Sequence, residues 1–169
     1  LALHARRGAD GGTVLGFKAR RSWRLVEVRE CPIADPRLVR AFPALAQVAD
    51  AFLEHPKSAP TLHVTWTLTG LDVDVTGVER RSGGLSADAR TRAVAAAGRA
   101  DLARLSLAGE TLMMARAPQV MFGPATVALP AGGFLQAVPE AEAAMVERAV
   151  AAARGAKKIA DLFCLSLIH

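Results

Sequence analysis

Few residues in this chain carry types and spacings that could do chemistry, and each is weak alone. Cys31, in "RECPIADP", offers a thiol, and Cys164 a second one far away in sequence. A lone thiol is ordinarily a small buried hydrophobe, and two distant cysteines do not make a disulfide framework. His4, His55, His63 and His169 show no His-x3-His spacing, so no zinc site is expected. Asp72 and Asp74 alternate along "LDVDV", which puts both carboxylates on one strand face. Such a pair can exchange protons with a substrate, but a solvated strand face explains it more simply. Gln136, in "GGFLQAV", reads as a loop residue before a helix, and Phe163 in "DLFC" as strand core. No serine-centred elbow and no phosphate-binding glycine loop are present.

Charge is the stronger signal. The chain has 169 residues, 51% hydrophobic and 22% charged, and a net charge of +5. These values fit one globular domain, or one and a fraction, with room for a sizeable core. Residues 1–40 hold nine basic and four acidic residues, the whole excess. Arg6, Arg7, Lys18, Arg20, Arg21 and Arg24 lead this group. A basic end on a near-neutral body is an electrostatic footprint for a polyanion, most simply RNA or DNA. A solvated basic surface is the plainer alternative. No apolar run is long enough for a membrane span, and no charged-then-apolar leader opens the sequence. A cytoplasmic protein is expected.

These groups must be positioned by elements that the patterning outlines. "LALHARRG", "TVLGFKARRS" and "WRLVEVREC" alternate as strands, with "GADGG" turning between the first two. Asp35 and Pro36 mark a helix start, and Leu38, Phe42, Leu45, Val48 and Phe52 recur at helical spacing through residue 55. Pro43 kinks that helix or starts a second one. "TLHVTWTLTG" and "LDVDVTGVE" form a hairpin. Ser86 caps a helix, and four short strands follow, with Met113 and Met114 in the core. "VPEAEAAMVERAVAAARG" is a helix with early acids and Gly155 at its end. A last strand runs from Lys158 to Cys164. The expected class is α+β, an antiparallel sheet with flanking helices, ending in the first helix and strand of a Rossmann-like domain. Residues 1–136 would form the first domain and 137–169 the start of the second.

Taken in order, "GFKARRSWRLVEVRECPIADP", "GGFLQAVPEAEAAMVERAV" and "KKIADLFC" resemble the class I S-adenosylmethionine-dependent RNA uracil-5 methyltransferases. The resemblance runs from Leu3 to Cys164 and would cover the central domain plus the entry to the catalytic domain. It implies methyl transfer from S-adenosylmethionine to C5 of a uridine in tRNA or 23S rRNA. It implies that Cys31 is the fourth ligand of a [4Fe–4S] cluster in members whose other three cysteines lie upstream. It implies that Gln136, with Phe134 in a Phe-x-Gln motif, contacts the methyl donor, and that Phe163 does too. Arg6, Arg7, Lys18, Arg20, Arg21 and Arg24 would hold RNA.

The sequence also departs from that pattern. Val138 stands where the family often has Asn. After Cys164 the family's Gly-x-Gly-x-Phe turn gives way to "LSLIH". The nucleophilic cysteine, the carboxylate base and the acid for the donor ribose would lie further on, so the chain is expected to be a fragment that is inactive alone. A non-catalytic RNA-binding module and a purely structural domain are the competing readings.

Overall fold

The computed structural model describes residues 1–22, 24–78, 84–133, 135 and 139–160. The chain divides into two compact units, Leu1–Gly132 and Gly133–His169. In the first unit, strands β1 (Ala2–Arg7), β2 (Thr13–Lys18) and β3 (Leu25–Glu27) are followed by helices α1 (Pro36–Arg40) and α2 (Phe42–Asp50). Then come β4 (Thr61–Thr67), β5 (Gly70–Thr76), α3 (Ala87–Arg99), β6 (Leu102–Leu107) and β7 (Glu110–Met114). A hairpin, β8 (Gln119–Phe122) and β9 (Ala125–Ala128), completes the unit. The main sheet has seven strands in the order β3-β2-β1-β4-β5-β6-β7.

The sheet is mostly antiparallel, with one exception. β5 and β6 pair in parallel. A parallel neighbour needs a crossover, and α3 supplies it. Alternation buries Leu3, Leu62, Val64, Val73, Val75 and Leu105 on one face of the sheet. Leu45, Val48 and Ala49 of α2 and Ala89, Ala93, Ala96 and Ala97 of α3 join the same cluster. The alanine stripe of α3 repeats at helical spacing and keeps the helix close to β6.

The long helix expected over residues 36–55 is two helices. Ala41 ends α1 and begins α2, and Pro43 sits in the first turn of α2, where its missing N–H has no cost. Phe52 lies beyond the end of α2 yet is fully buried, so tertiary packing carried the apolar spacing past the helix. The Met113–Met114 pair also splits. Met113 packs against the core, whereas Met114 is exposed on the edge strand β7.

The second face of the sheet overturns one expectation. Asp72 and Asp74 are buried rather than solvated. Arg104, paired with Asp72 across β5 and β6, donates from Nε to Oδ1 at 2.8 Å and from Nη2 to Oδ2 at 2.7 Å. Asp74 Oδ1 accepts from the Gly109 backbone N–H at 3.0 Å, which holds the β6–β7 turn. The hairpin β8–β9 is tied to the β4–β5 turn, with Gln119 O accepting from Leu68 N and Ala117 O from Thr69 Oγ1. Val120 and Leu129 are buried there.

In the second unit, helix α4 spans Pro139–Ala153, with Glu140 and Glu142 in its first turn. Gly155 follows with φ 79°, a left-handed exit suited to glycine. Lys158–Ala160 form no strand, and the rest of the expected last strand, Asp161 to Cys164, lies outside the described residues.

Candidate nucleic-acid interface

The basic residues of the first forty do not form one patch. Hairpin register separates them. His4 faces Gly16 and Arg6 faces Val14, so Arg6 and Arg7 sit at one end of β1 and Lys18 at the other end of β2. Four residues of strand, about 14 Å, lie between the levels of Arg6 and Lys18.

At the Lys18 end the β2–β3 turn gathers the strongest positive charge. Ala19 N donates to Arg24 O at 2.9 Å and closes the loop, and Ser22 N donates to Ala19 O at 3.0 Å. The Ser22 hydroxyl accepts from Arg24 N at 3.0 Å. Arg21 adopts φ 54°, a left-handed conformation that costs a side-chain-bearing residue about 1 kcal/mol. Arg20, Arg21 and Arg24 are all exposed. None of the three has an ion-pair partner among the described residues.

At the other end the charge is largely neutralised. Arg7 pairs with Asp50 of α2, whose Oδ1 also accepts from Thr13 Oγ1 at 2.7 Å. Burial disfavours the Asp50 carboxylate, but the Thr13 hydroxyl and Arg7 outweigh it and hold the group below its usual range. Arg6 is exposed beside this pair. Arg29 pairs with Glu27 at 2.9 Å and Arg37 with Asp35 at 2.6 Å. Arg37 also lies over the Trp66 ring, 4.7 Å from its centroid.

Two histidines that carry no sequence motif come together on the sheet. Outside the buried row of Leu3, Leu62 and Val64, the opposite face of β1 and β4 presents His4 and His63. His4 Nδ1 and Thr61 Oγ1 are 2.8 Å apart, and His63 Nε2 and Thr76 Oγ1 are 3.1 Å apart. Partial burial lowers the His4 pKa below its usual value, and Lys18 and then His63 lower it further. Ligand spacing along one segment does not reveal them, because strand pairing and not sequence proximity joins them. The available signal was their outward place in the two-residue alternation.

Cys31 is a free, half-buried thiol. It does not close a strand as expected: β3 ends at Glu27, and Cys31 O accepts from Ala34 N at 3.2 Å in a turn. The short strand fits the exposed charges of Arg29 and Glu30, which leave nothing to bury there. A [4Fe–4S] cluster takes four thiolates, and the described residues hold one and no group of three or more metal-capable side chains. These residues alone do not fit a cluster. Gln136, Phe134 and Phe163 lie outside the described residues. No helix among the described residues is long and apolar enough to cross a membrane.

No protein-family model matches the chain. It is similar to a protein of Caulobacter vibrioides named uncharacterized RNA methyltransferase, with 68% identity over 165 residues, covering 97% of this chain and 40% of the relative. Proteins of the same name in Mesorhizobium japonicum and Agrobacterium fabrum are 40% and 35% identical over 163 residues, each match covering 96% of this chain and 38% of the relative. The chain therefore spans about two fifths of the length of the curated relatives it matches, and it does so along nearly its own whole length.

Proposed function

We propose that the chain is part of an RNA methyltransferase and that residues 1–132 contribute RNA binding to it. The observation that carries this is the β2–β3 turn, where Arg20, Arg21 and Arg24 stand exposed without ion-pair partners among the described residues. The names of the relatives support RNA as the polyanion. Guanidinium groups present a planar donor fork that suits phosphate oxygens, and a short hydrogen-bonded turn holds three of them in one region.

The finer reading follows from the sequence resemblance. The parent transfers a methyl group from S-adenosylmethionine to C5 of a uridine in tRNA or 23S rRNA, in the cytoplasm. When bound, S-adenosylmethionine supplies the electrophilic methyl group. Gln136 offers an amide that both donates and accepts hydrogen bonds, and Phe163 an aromatic face; both would hold the donor. The nucleophile and base belong to parts of the parent beyond this sequence. Cys31 would supply one thiolate of a cluster whose other ligands come from elsewhere in the parent.

The experiment is labelled methyl transfer to uridine-containing RNA by the longer parent, with Gln136→Ala beside it. The expected outcome is weaker donor binding in the variant. Unchanged donor affinity would remove Gln136 from the site, and methyl transfer by the 169-residue chain alone would overturn its assignment as an inactive part. Iron and sulfide analysis of the parent with and without Cys31→Ser tests the cluster; a cluster undiminished by the change excludes Cys31.

A further inference from the structure

We propose that the open face of the sheet over β1, β2 and β4 is a second RNA-phosphate contact, in which His4 and His63 add proton-dependent affinity beside Lys18. This rests on the RNA-binding reading above and deepens it by naming a regulated part of the interface.

The register places the groups. Ala2 faces His63 and His4 faces Thr61 across β1 and β4. The two imidazoles are diagonal neighbours on one face, roughly 7–8 Å apart between their Cα atoms. Each engages one ring nitrogen with a threonine hydroxyl. The other nitrogens, His4 Nε2 and His63 Nδ1, have no hydrogen-bond partner among the described residues. When protonated, an imidazole donates from both nitrogens, so each ring then has a donor left for a phosphate oxygen. The neighbour beside His4 on its own strand face, Ala2, is small and exposed, whereas Gly16 across the ladder is buried with the Val26 carbonyl of β3 where a side chain would stand. An anion can approach the sheet on the Ala2 side of His4.

The basic groups around this face favour an anion. Lys18 of β2 is near enough to lower the His4 pKa, and Arg6 follows His4 on the same face of β1. Three carboxylates share the face, and each is engaged. Asp72 of β5, opposite Thr65, is bonded to Arg104. Asp74, opposite His63 on β5, is buried and bonded to the Gly109 N–H. Glu27, opposite Gly16 on β3, is paired with Arg29.

The sign of the effect follows from linkage. A bound phosphate stabilises the imidazolium, so it raises the histidine pKa and binding takes up protons. Affinity for RNA then rises as pH falls and the imidazoles of this face take up protons. Burial, then Lys18 and His63, lower the His4 pKa below its usual value, so its charging needs lower pH than an ordinary imidazole.

The test is binding of a labelled single-stranded oligouridylate to the chain at constant salt, at about pH 8 and about pH 5.5, bracketing the usual histidine pKa. The unaltered chain should bind about tenfold more tightly at the lower pH, and the His4→Gln/His63→Gln chain by less than about threefold, with equal affinity at the higher pH. His63→Gln alone, at an exposed position, should show an intermediate gain and covers the case in which the double variant fails to fold. The same pH gain in the variants overturns the proposal, as does equal loss at both pH values. Equal acid-strengthened binding of polyglutamate overturns it in favour of a general anion face. If the unaltered chain binds no RNA at either pH, the RNA-binding reading falls as well; salt-sensitive binding without the histidine effect removes this proposal alone.

Discussion

Asp72 and Arg104 show what one residue pair costs and contributes. Their side chains are only 6% and 8% exposed and share two hydrogen bonds. Desolvation and attraction nearly offset in such a pair, so removing one partner hurts more than removing both. Asp72→Ala should destabilise the fold by about 3–5 kcal/mol in urea unfolding, and Asp72→Leu with Arg104→Met should recover most of the loss. A double variant no more stable than the single would show that the pair itself, and not the stranded charge, holds the sheet. Asp35 makes a different prediction. The Arg37 side chain, its backbone N–H and the charges of Arg37 and Arg40 outweigh slight desolvation and lower the Asp35 pKa from 3.8 to about 2. A depressed carboxylate adds stability above its unfolded pKa and loses it as pH falls toward the folded one. Stability should therefore drop between about pH 4 and about pH 2, and Asp35→Asn should flatten that limb in acid titrations followed by circular dichroism.

At the scale of elements, the start of α3 is the informative junction. Ser86 Oγ accepts from Ala89 N at 3.1 Å, the capping bond that the sequence led one to expect. The same serine donates its backbone N–H to Glu54 Oε2 at 3.0 Å and its hydroxyl to Glu54 Oε1, so the cap also ties α3 to the segment after α2. Ser86→Ala should cost about 1–2 kcal/mol, the upper half of the usual range for a lost cap, because it removes the tie as well. Glu54→Gln should cost less, since an amide oxygen still accepts one of the two bonds. Urea midpoints of the two variants check the order.

At the scale of the whole molecule, tertiary contacts separate Arg7, paired with Asp50 of α2, from the exposed arginines of the β2–β3 turn. Replacing Arg20, Arg21 and Arg24 together by Ser should weaken RNA binding and flatten the dependence of log K on log salt by about 0.7–0.9 for each phosphate no longer held. Arg7→Ser should leave that slope unchanged, because Asp50 already neutralises Arg7. It should lower stability slightly instead, by stranding a carboxylate that Thr13 alone would hold. Salt titrations of both variants against the same RNA separate the roles; equal slopes for both would return Arg7 to the interface.

Local patterning was enough for the mixed fold class, for most strands, for the Ser86 cap and for the basic excess within residues 1–40. These depend on alternation, capping chemistry and charge, which act over a few residues. It did not reach the burial of Asp72 and Asp74, because Arg104 is distant in sequence and only the α3 crossover brings it alongside. Nor did it separate Arg7, paired with Asp50 of another element, from Arg20, Arg21 and Arg24, which have no ion-pair partner among the described residues. The His4–His63 face belongs to the same class. Two unremarkable histidines become neighbours only when β1 pairs with β4. Tertiary structure decided each of these, because long-range pairing sets which charges meet and which stay open to a partner.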